Sequence, residues 1–133
     1  MSAHPFIETL NTRFGGVLLH GPHAPNGKAC LHEALSVAKG CPFSDEPTVT
    51  GHLDLRDLND SQWESDGERT GALIPVAIAL WDWPAWTLSR KCIWVQLVVM
   101  HIVREILPLI LRVEGLEEDA LQCEHARVIA DAE

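Results

Sequence analysis

The sequence predicts a mainly α protein, an irregular bundle of four or five helices joined by long polar loops. Apolar residues recur at helical spacing in several stretches, and clusters of proline and glycine separate those stretches. The length of 133 residues suits one hydrophobic core. We therefore expect a single helical domain over residues 1–133.

The first elements follow from local signals. Met1–Thr12 reads as a loose arm or a short helix, and the two prolines and two glycines of His20–Lys28 predict a loop. Ala29–Lys39 has the apolar spacing of a helix. Asn26 is a candidate N-cap, and Gly40 fits the left-handed position that ends many helices.

The middle of the chain is less regular. Thr48–Leu58 fits a short helix, although its apolar residues also alternate as in a strand. A helix is expected over Ala72–Leu80, with Pro75 tolerable only in its first turn. Pro84 ends this helix, because proline disfavours the α conformation of the preceding residue.

Two helices are expected at the C-terminal end. Thr87 or Ser89 caps a long helix that runs to about Leu107, where Pro108 ends or kinks it. The last helix covers Leu116–Ala132, and its acidic first turn favours the helix dipole.

Charge limits the classes of partner. The chain has 19 acidic and 10 basic side chains, a formal net charge of -9, which argues against binding DNA or RNA because such binding depends on lysine and arginine. The same charge suits a basic protein partner, or simply keeps the protein soluble.

The segment 93–113 resembles a membrane span in length, but it contains five polar or charged residues: Gln96, His101, Arg104, Glu105 and Arg112. A charge near mid-bilayer costs roughly 2.5–3.5 kcal/mol, so we expect a core or partner helix and no membrane. Self-association through residues 93–107 is a further option. Residues 1–19 lack the pattern of an export signal, which favours the cytoplasm.

The four cysteines are widely spaced and form no C-x-x-C pair: Cys30, Cys41, Cys92 and Cys123. In a reducing cytoplasm we expect no structural disulfide among them.

The stretch LLHGPHAPNGKACLHEA (residues 18–34) has the outline of a phosphate-binding loop, but three features contradict it. Five residues instead of four separate Gly21 from Gly27, and Ala29 stands where the motif needs a hydroxyl. Pro22 and Pro25 also remove backbone N–H groups that would hold phosphate.

The same stretch offers a polar site. His23, Cys30, Glu33 and Asp45 carry the imidazole, thiol and carboxylate groups that bind zinc, with Cys41 as an alternative to Asp45. Such a site would serve structure, or hydrolysis through an activated water. Two other interpretations remain: a structural polar cluster, and a catalytic Cys30 with His23 as its base.

Part of the chain resembles a group of small proteins of actinobacteria and their phages. That group's core reads G-S-H-D-S-P, A-C-x-x-E, A-G-E-P-x-S-D-H-P and W-N-D, against GPHAPNGKACLHEA, KGCPFSDEP and LND here. The resemblance covers residues 17–80, with matches at His23, Pro25, Cys30, Glu33, Gly40, Pro42, Ser44, Asp45, Pro47, Asn59 and Asp60.

The chain departs from that core in three places. Pro22 replaces a serine, Ala24 an acidic residue and Glu46 a histidine. The resemblance supplies no activity, but it implies that His23, Cys30, Glu33 and Asp45 lie together and that the chain has a phage or prophage origin. Glu46 would then replace a metal-binding histidine.

Two functions remain open, and whether the protein is an enzyme is undecided. One is a helical protein with a zinc site at residues 20–46. The other is a noncatalytic accessory or inhibitor that binds a host protein through its acidic faces and its tryptophans, of which Trp81, Trp83 and Trp86 cluster around Pro84.

Overall fold

The computed structural model describes residues 3–127. The mainly α prediction is confirmed: the protein is about 60% helical, and no strand occurs in the described part. Within residues 3–127 there are six helices, somewhat more than the four or five expected: α1 (Pro5–Arg13), α2 (Leu31–Ala38), α3 (Arg56–Asn59), α4 (Asp66–Ala79), α5 (Leu88–Val113) and α6 (Glu117–Glu124). Short 3₁₀ turns cover Pro47–Val49 and Trp83–Ala85.

The chain divides into two compact units, Met1–Ala85 and Trp86–Glu133. The core of the first unit is built from buried apolar residues of α1, α2 and α4 and of the loops between them: Phe6, Leu10, Leu18, Leu31, Leu35, Leu73, Ala77 and Leu80. The single-domain expectation stays a prediction.

Helix α2 begins four residues later than the Asn26 cap predicts. Its N-cap is Cys30, and the backbone N–H of Cys30 donates to the Glu33 side chain, as in a capping box. Gly40 has φ 74°, which confirms the left-handed residue after the last turn.

Helix α4 begins at Asp66, earlier than expected, because the Ser65 hydroxyl accepts the backbone N–H of Glu68 at 3.0 Å and caps it. Pro75 therefore lies inside the helix, and its first-turn placement was wrong. Leu73 and Ala77, both buried, hold this stretch in the core despite the backbone bond that proline removes.

Helix α5 begins where predicted. The Thr87 hydroxyl accepts the N–H of Arg90 at 3.1 Å. The helix passes Pro108 and ends at Val113 instead of near Leu107, with Ile102–Ile106 in π-helical form. Proline crowds the carbonyl four residues before it, and the wider π turn accommodates that crowding.

The second unit has a small core of its own. Val103 packs with Cys123 and Ala126, and four partly buried residues of α5 surround them: Val99, Met100, Leu107 and Leu111. The Arg104 guanidinium also donates to the Ala126 carbonyl. The last predicted helix is present as α6, but the part of that prediction from residue 128 onward lies outside the described residues.

Helix α5 exposes most of its apolar surface. By length and composition alone it could cross a membrane, and only 6% of its most apolar 18-residue window is buried. Ten apolar residues of the helix are more than a third exposed: Leu88, Ile93, Val95, Leu97, Val98, Ile102, Ile106, Leu109, Ile110 and Val113.

Candidate functional site

The carboxylate of Glu33 joins the loop 20–29 to the start of α2. Its Oε2 accepts the backbone N–H of His23 at 2.7 Å, and its Oε1 accepts both His23 Nδ1–H at 2.9 Å and the Cys30 N–H at 2.8 Å. Burial alone would raise the pKa of Glu33, but these hydrogen bonds outweigh it and the pKa is lowered. A charged Glu33 therefore holds the loop in place.

The thiol of Cys30 is buried beside this carboxylate. Burial raises the pKa of Cys30 to about 12, and the negative charge of Glu33 adds to the rise. A reactive cysteine needs a lowered pKa and access to solvent. The geometry therefore does not favour a catalytic Cys30.

A second polar group, Asn59 with Asp60, holds the other end of the loop. Asn59 Oδ1 accepts the Leu31 N–H at 3.1 Å, and Asn59 Nδ2 donates to the Leu19 carbonyl at 3.1 Å. Asp60 Oδ1 accepts the Gly21 N–H at 3.1 Å. The buried side-chain amide of Asn59 thus supplies hydrogen-bond partners to backbone groups that have none from secondary structure.

Arg69 of α4 lies beneath Asn59. Its buried guanidinium donates to the Asn59 carbonyl at 2.7 Å and to the Asp66 carboxylate at 2.6 Å. These charge-assisted hydrogen bonds connect α4 to Asn59, which in turn binds the loop of the candidate site.

Gly21 permits the close approach of loop and helix. A Cβ at this position would lie 2.6 Å from Cys30 Cβ and 3.0 Å from Cys30 Sγ. The backbone of the loop therefore contacts the start of α2 directly.

Two buried histidines occupy another part of the first unit. His32 Nε2 accepts the Leu55 N–H at 2.8 Å, and its ring meets that of His52 edge-on at 5.9 Å. Burial and the neighbouring His52 lower the pKa of His32 to about 4. The charge of Asp45 acts on His32 and on Arg56.

The structure therefore brings His23, Cys30 and Glu33 together through direct hydrogen bonds. The grouping of Asp45 with them stays a prediction. Cys41, the alternative to Asp45, follows the C-terminal end of α2, whereas Cys30 precedes its start. An eight-residue helix is about 12 Å long, so Cys41 does not join Cys30. Glu46, the expected substitute ligand, pairs with Arg56 at 3.2 Å.

The three residues that meet fit a shared zinc ion poorly. Zinc takes cysteine as thiolate, so it would have to displace the proton of a Cys30 thiol whose pKa burial raises to about 12. The Glu33 oxygens already accept three hydrogen bonds. Within residues 3–127, no group of three histidine, cysteine or acidic side chains is arranged to hold a metal ion. Of these three residues, His23 would offer a ligand its Nε2, because Glu33 binds the other ring nitrogen at 2.9 Å and orients the ring.

Sequence reasoning from chemistry missed three residues that build this site: Asn59, Asp60 and Arg69. The resemblance did include Asn59 and Asp60 among its matching positions. No local signal marks Arg69, because a basic residue in the first turns of a helix is expected to face solvent.

Comparison of the chain with protein-family models, with curated proteins and with solved structures finds no match, and the resemblance to the actinobacterial and phage group stays a prediction.

Proposed function

We propose that this chain is a noncatalytic accessory protein that acts by binding a protein partner through α5. The observation that carries the proposal is the exposure of this helix, whose most apolar window is only 6% buried. Leu97 is 65% exposed, Leu109 64% and Val113 84%. Contiguous exposed apolar surface of this kind marks interaction sites in soluble proteins.

The residues of α5 favour contact with a protein partner over insertion into a lipid bilayer. Residues 93–110 contain eleven leucine, isoleucine and valine residues, which together favour insertion by roughly 3–7 kcal/mol. Arg104 and Glu105 in the same window cost roughly 5–7 kcal/mol. Gln96, His101 and Pro108 add to that cost, so the bilayer offers no net gain.

The chemistry of the first unit supports a binding role rather than a catalytic one. The polar side-chain atoms of Glu33, Asn59 and Arg69 form hydrogen bonds with backbone atoms of the neighbouring segments. Cys30, the one nucleophile among them, has a pKa raised to about 12. These residues act as the scaffold of a small folded unit.

The test begins by capturing and identifying the partner with the tagged full chain, then measuring its affinity with purified components. Leu97→Ser with Leu109→Ser should weaken binding more than tenfold, because truncating well-buried contacts at an interface costs more than about 1.4 kcal/mol. The matched control is Asp57→Asn with Glu64→Gln, two exposed acids of the first unit, which should bind as the unmodified chain does.

Equal affinity of the helix variant and the control would remove α5 as the binding surface. Flotation of the chain with vesicles of neutral phospholipid, reversed by the helix variant, would show that lipid rather than protein covers α5.

A second candidate function is metal binding at His23, favoured by one observation: Glu33 Oε1 accepts His23 Nδ1–H at 2.9 Å. Carboxylates orient metal-binding histidines in this way, and losing them weakens metal affinity roughly 10–100-fold. Elemental analysis of the purified chain and of His23→Ala tests it. Stoichiometric zinc that His23→Ala loses would support the site, and metal-free protein would remove it.

A further inference from the structure

The first unit contains a small cavity that is separate from the cluster around Glu33. Its volume is about 130 Å³. Three parts of the chain contribute to its lining: the C-terminal end of α1, the loop before α2, and α2 with the segment that follows it. The lining residues are Arg13, Phe14, Pro25, Gly27, Val37 and Phe43. We call this space the Arg13 cavity.

Two phenylalanine rings supply most of the apolar lining. The ring centroids of Phe14 and Phe43 lie 6.3 Å apart, and the ring planes are tilted by 46°. This separation lies within the range at which aromatic rings attract one another. Phe14 is buried and Phe43 is half-buried, while Val37 and Pro25 add aliphatic surface. A further aromatic ring that enters the cavity would therefore find apolar contacts and favourable ring edges.

The volume restricts the ligand to about one ring. A cavity of about 150 Å³ engineered into another protein admits benzene. Sites for drug-sized ligands are larger, about 300–1,000 Å³. The Arg13 cavity is therefore too small for a nucleotide or a cofactor with fused rings.

The charge of the lining selects the polar group of the ligand. Arg13 is the only charged residue among the described lining residues, in a chain with 19 acidic side chains. It is exposed, and within residues 3–127 it forms no ion pair with a carboxylate. A guanidinium binds a carboxylate through two parallel hydrogen bonds. Phosphate or sulfate would instead bring further oxygens against phenylalanine rings that offer no donor.

We propose that the Arg13 cavity binds a small aromatic carboxylate, an acid with one ring. The ring packs against Phe14 and Phe43, and the carboxylate pairs with Arg13. This site lies in the first unit, so the inference goes beyond the binding role proposed for α5 and stands independently of it.

Nuclear magnetic resonance tests the site in the full chain with sodium benzoate as the probe. The chain has three phenylalanines, and the third, Phe6, is fully buried in the core and serves as an internal control. Titration near neutral pH should shift the assigned ring signals of Phe14 and Phe43 and leave those of Phe6 in place. The shifts should saturate with a Kd of about 1 mM or below, as expected for a ligand of about nine non-hydrogen atoms.

Matched ligands and variants separate the charge from the ring. Benzamide keeps the ring without the charge, and acetate keeps the carboxylate without the ring. Each should bind at least about tenfold more weakly than benzoate. Arg13→Gln should weaken benzoate binding about tenfold and leave benzamide binding unchanged, because it removes only the contact with the carboxylate. Lys28→Gln is the control, an exposed cation of the same loop, and should change the affinity less than about twofold.

Three results would overturn this inference. The first is a set of shifts that stays linear up to about 20 mM benzoate, without saturation. The second is equal affinity of Arg13→Gln and Lys28→Gln for benzoate. The third is tighter binding of acetyl-Ala-Ala-Phe than of benzoate, which would replace the small molecule by the C-terminus of a partner chain.

Discussion

His23 donates to the two carboxylate oxygens of Glu33 from two different atoms, its backbone N–H to Oε2 at 2.7 Å and its ring Nδ1–H to Oε1 at 2.9 Å. Both donors belong to a loop without regular secondary structure, and the acceptor belongs to the first turn of α2. The position of the loop at His23 therefore depends on one buried charge, whereas Asn59 and Asp60 hold its other end.

Glu33→Gln should lower the free energy of unfolding by about 2–4 kcal/mol, because an amide leaves at least one N–H donor facing another donor at a buried site. Urea unfolding followed by circular dichroism measures this loss. Glu64→Gln, at an exposed position, should change stability by less than about 0.5 kcal/mol. Equal stability of both variants would show that Glu33 does not hold the loop.

As the pH falls, protonation of His32 should destabilise the protein before the carboxylates become protonated. The pKa of His32 is lowered to about 4, so the unfolded chain binds its proton first, near pH 6.5. The stability is fully present above pH 6.5 and falls as pH drops toward 4, by about 3 kcal/mol in total.

The measurement is the urea midpoint between pH 7 and pH 5, the window in which Glu33, with its lowered pKa, stays charged. His32→Gln keeps an acceptor for the Leu55 N–H and should flatten the pH dependence. His20→Gln, at an exposed position, should leave it unchanged. A pH dependence that survives His32→Gln must come from another group, and His52, whose pKa is also lowered by burial, would be examined next.

Thiol labelling should separate the exposed cysteine from the two buried ones. With iodoacetamide at pH 8, we expect exposed Cys92 to react first and buried Cys30 and Cys123 to react only after unfolding. Mass spectrometry of digested samples assigns each site. Labelling of Cys30 as fast as Cys92 in the folded protein would contradict its raised pKa and revive a catalytic role.

Two glycine substitutions should have opposite effects. Gly21→Ala would place a Cβ 2.6 Å from Cys30 Cβ, so we expect a loss of about 1–3 kcal/mol as the loop is pushed away. Gly71→Ala meets nothing within 4 Å inside α4, and it should stabilise the helix by up to about 1 kcal/mol. Thermal unfolding measures both, and a neutral Gly21→Ala would show that the loop does not contact α2 closely.

The sequence predicted the helices better than their ends. Apolar spacing located α2 and α5, whereas their limits were set by a capping contact at the start of α2 and by a π-helical turn inside α5. The cap moved from Asn26 to Cys30 because Glu33 binds the Cys30 N–H, and α5 passed Pro108 because a π-helical turn accommodates it. Local propensity contains neither the capping contact nor the turn.

The candidate site shows the same limit. The sequence grouped His23 with Cys30 and Glu33 because the loop of His23 directly precedes the helix start that carries Cys30 and Glu33. Residues so close along the chain can meet without any long-range contact. Asp45 follows the far end of α2, so only the fold decides where it points, and its charge acts near His32 and Arg56. Long-range partners such as Arg69 and Asn59 need the tertiary structure to be recognised.

Glu33 holds the loop at His23 and Cys30 largely by accepting backbone N–H groups. Because nearly every amino acid has this group, these contacts depend little on side-chain identity. The tip between these points, residues 24–28, is exposed. Foreign peptides, fluorophores or affinity tags grafted between Asn26 and Gly27 should therefore leave the first unit folded, which makes this tip a convenient handle for following the protein and whatever it binds.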